Sequence, residues 1–247
     1  MATEPLATLG SPPFPVDLTL VCRDGARLSA HRYILAWASP VLREALGLPL
    51  GLPSPSASAG CLGSCHGALS SAAEACSVGE LAVDDDGPDW EVALLLVAPT
   101  DYTMRLVTWE NVERLLALAD KYNIAIVRGY CAHFLALGGP NMRLDAPLLA
   151  PYNPLRAATL FEKFCSAHDS LKAYGEVVHG AVNVALSPLT APIQCCYNAC
   201  ALLATLDKVV THEQYMTAIA PSVQGIVSAA MLRGLHGLLE LLQMPGR

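Results

Sequence analysis

Thiols and imidazoles are the residue types here that could hold a metal. Cys61, Cys65 and His66 stand close together, with Cys76 further on. Thiolate and imidazole are zinc ligands, but this spacing is not that of a zinc knuckle and the surroundings are Gly, Ala and Ser, so no metal is assigned. Cys195, Cys196 and Cys200 fall on a helical stretch. Cys196 and Cys200 share a face at i, i+4 and suit core packing. His212-Glu213 lacks the second histidine of a zinc-protease helix, and neither a Gly-x-Ser-x-Gly elbow nor a glycine-rich phosphate loop occurs. The acids Asp84–Asp86 are adjacent, which fits a helix terminus better than a two-carboxylate site. No catalytic residue and no cofactor is assigned. What remains is a group of polar residues in odd places. Asp17 stands at the mouth of an apolar strand, and His31-Arg32 stand where an apolar helix begins. They line a ligand site, or they serve the architecture of an interaction fold.

The elements around them read clearly. Val16, Leu18 and Leu20 alternate with Asp17, Thr19 and Val21, the period of a half-buried strand. Asp24-Gly25 predicts a hairpin turn, and Ala26–Ser29 the returning strand. Ile34, Leu35 and Ala38 then share a helical face with His31. Ser39-Pro40 restarts a helix, serine as N-cap and proline at the first position. Residues 47–79 are Gly-, Pro-, Ser- and Ala-rich without an aromatic, and are expected to be a disordered insertion. Leu81 and Val83 predict a third short strand. A helix follows in which Pro88 fits the first turn and Trp90, Ala93, Leu94 and Val97 form the buried face. Thr108 is the expected cap of the next helix, with Val112, Leu115, Leu116, Ala119 and Tyr122 inward and Glu113, Arg114, Asp120 and Lys121 outward. Another helix covers 124–137. Residues 138–154 read as a linker and 155–247 as a helical region. There Thr211 and Gln214 suggest a capping box. Val223, Ile226, Val227, Ala230, Leu235, Leu238 and Leu242 make one apolar stripe in the last helix. The expected fold class is α+β: a small β-sheet flanked by a helical cluster, then an all-α C-terminal region.

Composition narrows the partners. The 247 residues are 53% hydrophobic and 15% charged, with net charge −7. That sign is repelled by nucleic-acid phosphates and by anionic membrane surfaces, so neither is an expected partner. The uncharged run 181–206 is interrupted by Pro188 and Pro192, and Arg233, His236 and Glu240 break the apolar end of the chain; no membrane span is expected. Nine cysteines, an odd number at irregular spacing, read as reduced thiols in an intracellular, cytoplasmic or nuclear protein. The first fifteen residues form a proline-containing tail without the features of a secretory signal.

The order strand, hairpin, strand, two helices, short strand, three helices resembles the BTB (POZ) domain. So do Asp17, Gly25, Ala30-His31-Arg32, Leu35 and Ser39, the run "DDDGPDWEVALLL", and "NVERLLALADKYNIAIVRGYCAHFL". The resemblance covers about residues 16–137. It implies that Asp17, His31 and Arg32 are structural polar positions, with Asp17 and Arg32 paired. It implies a protein-interaction adaptor rather than an enzyme, one that recognises a substrate for a cullin-based ubiquitin ligase, with proteins as partners: a cullin scaffold with an unknown substrate, or a second copy in a homodimer. Glu113, Asp120, Lys121 and Tyr122 would then lie on the partner-binding surface, and the C-terminal helices would correspond to a BACK-like or other helical extension. Three family features are missing, one of them the Tyr-Thr-Gly that ends the family's next helix, where this chain has "VAPTD". The apolar-x-Glu signature that contacts cullins would fall in the 47–79 insertion, where it is not recognisable. Pro12, Pro13 and Pro15 stand where many members carry an amphipathic helix. A scaffold without a ubiquitin role is the alternative, and a metal- or thiol-dependent protein the third reading.

Overall fold

The computed structural model describes residues 16–48, 79–98, 103–190 and 196–243. The expected tail, most of the expected insertion, and Cys61, Cys65, His66, Cys76 and Cys195 lie outside the described residues. The fold is α+β and divides into two compact units, Met1–Leu94 and Leu95–Arg247.

In the first unit, β1 (Leu18–Val21) pairs antiparallel with β2 (Arg27–Ala30) and parallel with β3 (Gly79–Ala82), in the order β2-β1-β3. Leu18 and Leu20 are buried while Thr19 and Val21 are partly exposed, as period 2 requires. The hairpin turns at Gly25, whose φ of 84° only glycine adopts readily. α1 (Arg32–Ala38) and α2 (Pro40–Ala45) follow β2. Ser39 separates them as predicted: its Oγ accepts from the Leu42 N–H at 3.0 Å, and Pro40 takes the first helical position.

α3 (Gly87–Val97) runs across the division between the units. Its N-terminus is held by an acid distant in sequence. Asp24, in the hairpin turn, accepts from the Ala26 N–H at 3.1 Å and from the Gly87 N–H at 3.0 Å. These backbone bonds hold its carboxyl below the usual carboxylate range. Asp86 forms a two-pronged pair with Arg23 (2.9 and 3.1 Å). Trp90, Ala93, Leu96 and Val97 are buried; Leu94, expected inward, is only partly so.

The second unit is helical: α4 (Val112–Lys121), α5 (Ala125–Leu137), α6 (Pro154–Phe164), α7 (Lys172–Thr190), α8 (Cys196–Val210), α9 (Tyr215–Ala218) and α10 (Pro221–Gln243). α6 packs on α7, and α7 on α5 and α10. α4 starts later than expected. Thr108 does not cap it; instead Asn111 Oδ1 accepts from the Thr108 N–H, and its Nδ2 donates to the Leu106 carbonyl, both at 2.8 Å. Between α5 and α6, Leu144, Leu148 and Asn153 are buried. Asn153 caps α6 by accepting from the Leu155 N–H at 3.0 Å and donates to the Ala146 carbonyl at 3.0 Å.

Three local expectations are corrected. Thr211 and Gln214 form no capping box: Thr211 donates back to the Asp207 carbonyl at 2.6 Å, and Gln214 makes no side-chain cap bond. Cys196 and Cys200 are exposed rather than packed in a core. The single stripe expected in α10 is two faces, one of them uncovered. Val223, Val227, Ala230 and Gly234 are buried, whereas Leu235 and Leu242 are 48% and 82% exposed.

Candidate protein-interaction site

The three odd polar residues converge where β1, β2 and α1 meet. Asp17 Oδ1 accepts from the backbone N–H of Arg32 at 2.8 Å. The first turn of a helix leaves its N–H groups without partners, so a carboxylate there satisfies a donor and complements the dipole. Asp17 thus meets Arg32 through the main chain. The Arg32 guanidinium lies against Gly79 of β3, its terminal nitrogen 2.5 Å from where a Cβ on that residue would stand. His31 takes the N-cap position with extended backbone, and its carbonyl accepts from the Leu35 N–H at 3.1 Å. This polar cluster joins strand ends to a helix start.

α1 turns its other side outward. Leu35 and Ala36 are buried, whereas Tyr33 and Trp37, one turn apart, are 73% and 71% exposed. Val41, in the first turn of α2, is 43% exposed. Arg43 Nε donates to the Ala36 carbonyl at 2.8 Å, fixing α2 against the end of α1. The result is a rigid helix pair with two large aromatic side chains in solvent. Aromatic anchors on rigid elements are the residues that most often dominate protein–protein interfaces. The sequence reading placed the apolar face of this helix but did not single out Tyr33 and Trp37. Their i, i+4 spacing, offset from Leu35 and Ala38, was the available signal.

The outward residues of α4 do not form one open surface. Glu113 is ion-paired with Arg156 of α6, and Arg156 also donates to the Ala218 carbonyl at 2.8 Å. Asp120 stands 3.5 Å from the buried Arg128, which donates to the Ala119 carbonyl at 3.1 Å. Lys121 lies 5.2 Å from the centre of the Tyr122 ring, and Tyr122 itself is buried. These contacts tie α4 to α5, α6 and α9.

Among the described residues no group of three metal-ligating side chains occurs. Ser222 donates to Glu162, and His179 Nε2 lies 3.5 Å from the other Glu162 oxygen. The carboxylate sits in the middle, so the serine faces an acid rather than the imidazole that would activate it. Burial pushes the Cys131 thiol far up and that of Cys165 to about 12, which keeps both as unreactive thiols.

Residues 8–49 match the family model of the BTB/POZ domain. No curated protein and no solved structure matches the chain. The matched segment holds β1, β2, α1 and α2, with the Asp17–Arg32 contact and the exposed aromatic pair. Residues 8–49 are therefore similar to the opening strands and helices of the BTB/POZ domain, a protein-interaction module, and the described residues end in a helical C-terminal region.

Proposed function

We propose that the protein is a non-enzymatic, intracellular interaction module whose BTB/POZ domain docks a second copy of the chain through the outer face of α1. The observation that carries this reading is the pair Tyr33 and Trp37, 73% and 71% exposed on a helix inside the family match. Burying two such rings supplies a large contact area with few rotamers to freeze. Sedimentation velocity of the full chain tests it. The wild type is expected to contain a dimer that the variant Y33S/W37S loses, with an unchanged far-ultraviolet circular dichroism spectrum because both side chains are exposed. Equal association of the two proteins would refute the assignment to this face.

A second role rests on the helical region after the domain. In this reading the chain is an adaptor that binds a cullin scaffold through the BTB/POZ domain, extending to about residue 137. A substrate protein would be held by helices from about residue 155 onward. The family match and the order of the elements support it. Titration of the full chain with a purified cullin N-terminal domain tests it separately. Absence of binding at high micromolar concentration would remove the adaptor role and leave self-association standing.

A further inference from the structure

α10 presents two apolar faces. The first is buried: Val223, Val227, Ala230 and Gly234. At Gly234 the backbone comes so close to α7 that a Cβ would meet the Leu189 side chain at 2.6 Å. The second face is exposed. Leu232, Leu235, Leu239 and Leu242 are 69%, 48%, 54% and 82% exposed. Their spacing is three, four, three, the repeat of the a and d positions of a coiled coil. Arg233 and Glu240 fall at b positions, away from the leucine row, and His236 falls at an e position on its flank, so no a or d position carries a polar side chain.

We propose that this seam is a self-association surface, and that its occupant is the same helix of a second copy. The spacing argues for a helical partner, since a/d leucines leave the holes that an identical row of knobs fills. Self-complementarity argues for a second copy. Whether the two helices run parallel or antiparallel, all four layers are leucine on leucine, as a two-fold interface needs. The helix is already formed and its N-terminal half is anchored to the unit, so pairing carries little of the ordering cost that an isolated two-heptad peptide would face. The area sets the strength. The exposed parts of the four side chains amount to about two and a half whole leucines, well short of the ~800 Å² per partner of a standard stable interface. The pair is therefore weak and concentration-dependent. This seam lies on the unit 95–247 and the α1 face on the unit 1–94, so the inference does not rest on the α1 reading.

The same helix is long and apolar enough to cross a membrane by length and composition alone, with 17% of its most apolar window buried. A lipid surface is accordingly a named outcome of the test. Sedimentation equilibrium of the full chain from micromolar to near-millimolar concentration is run for the wild type, Y33S/W37S, L235E/L239E and the milder L235A/L239A. The expected result is association in the Y33S/W37S protein that weakens at least tenfold in both quadruple variants, Y33S/W37S with L235E/L239E and Y33S/W37S with L235A/L239A. Far-ultraviolet circular dichroism should stay unchanged, because the replaced side chains are exposed. Three results would overturn the proposal: a Y33S/W37S protein that is monomeric at all concentrations, association insensitive to both leucine pairs, or flotation with phosphatidylcholine vesicles that L235E/L239E abolishes.

Discussion

Asp17 and Asp24 do the same kind of work at two helix starts. Each carboxylate accepts a backbone N–H from the first residue of a helix, Arg32 at 2.8 Å and Gly87 at 3.0 Å. Removing a partner from a part-buried donor costs more than the bond itself contributes. Asp17→Ala is expected to lower the unfolding free energy by about 1–2 kcal/mol, and Asp17→Asn by less because an acceptor oxygen remains. Urea denaturation of the three proteins checks the order. Asp24 adds a pH dependence. Its folded pKa is depressed, so its stabilisation is fully present above the unfolded carboxylate value of about 4 and is lost as pH falls through the folded value. Melting temperatures of wild type and Asp24→Asn, compared from neutral pH downward, are expected to converge below about pH 4. A gap that stays constant across that range would show the bonds to be insensitive to its charge. The Asp24-Gly25 turn was legible in sequence because hairpin signals are local. The reach of Asp24 to Gly87, across 63 residues, was not, since only the register of three paired strands brings them together.

Helix boundaries follow the same division between local and distant causes. Ser39-Pro40 was readable because an N-cap and its proline act within one turn. Ser39 is fully buried and its Oγ accepts from the Leu42 N–H. Ser39→Ala should therefore cost about 1–2 kcal/mol, at the upper end for caps, and Ser39→Asp should recover part of it. Thermal melts of the full chain report both. α4 begins late for a reason that no cap rule contains. Asn111 turns back to Thr108 and Leu106, so the segment that looked like a first turn is a side-chain-bonded loop. α10 shows the other limit. Periodicity marks which positions are apolar, not which are covered, and so Val223 and Val227 merged with Leu235 and Leu242 into one expected stripe. The α1 aromatics were passed over on similar grounds: the apolar face was placed at Ile34, Leu35 and Ala38, and the pattern does not show that Tyr33 and Trp37 beside it stay uncovered.

Across the whole molecule, two apolar faces sit on an acidic chain. Net charge is −7 at neutral pH, and the isoelectric point is near 5.4. Like-charged copies repel over roughly a Debye length of about 8–10 Å in physiological salt, and this repulsion opposes any attraction between exposed aromatic or leucine surfaces. Lowering the pH toward 5.4 removes the net charge while leaving both faces intact. The osmotic second virial coefficient of the full chain, measured by static light scattering, is expected to fall steadily from about pH 8 toward the isoelectric point. Added salt at the upper pH should reproduce part of that fall, because it screens the same repulsion. The decisive comparison uses the variants. If attraction comes from the two faces, a protein carrying both Y33S/W37S and L235A/L239A, whose formal charge equals that of the wild type, keeps a higher virial coefficient throughout the range. If its curve overlays the wild type's, the pH dependence reports net-charge repulsion alone and neither face drives attraction.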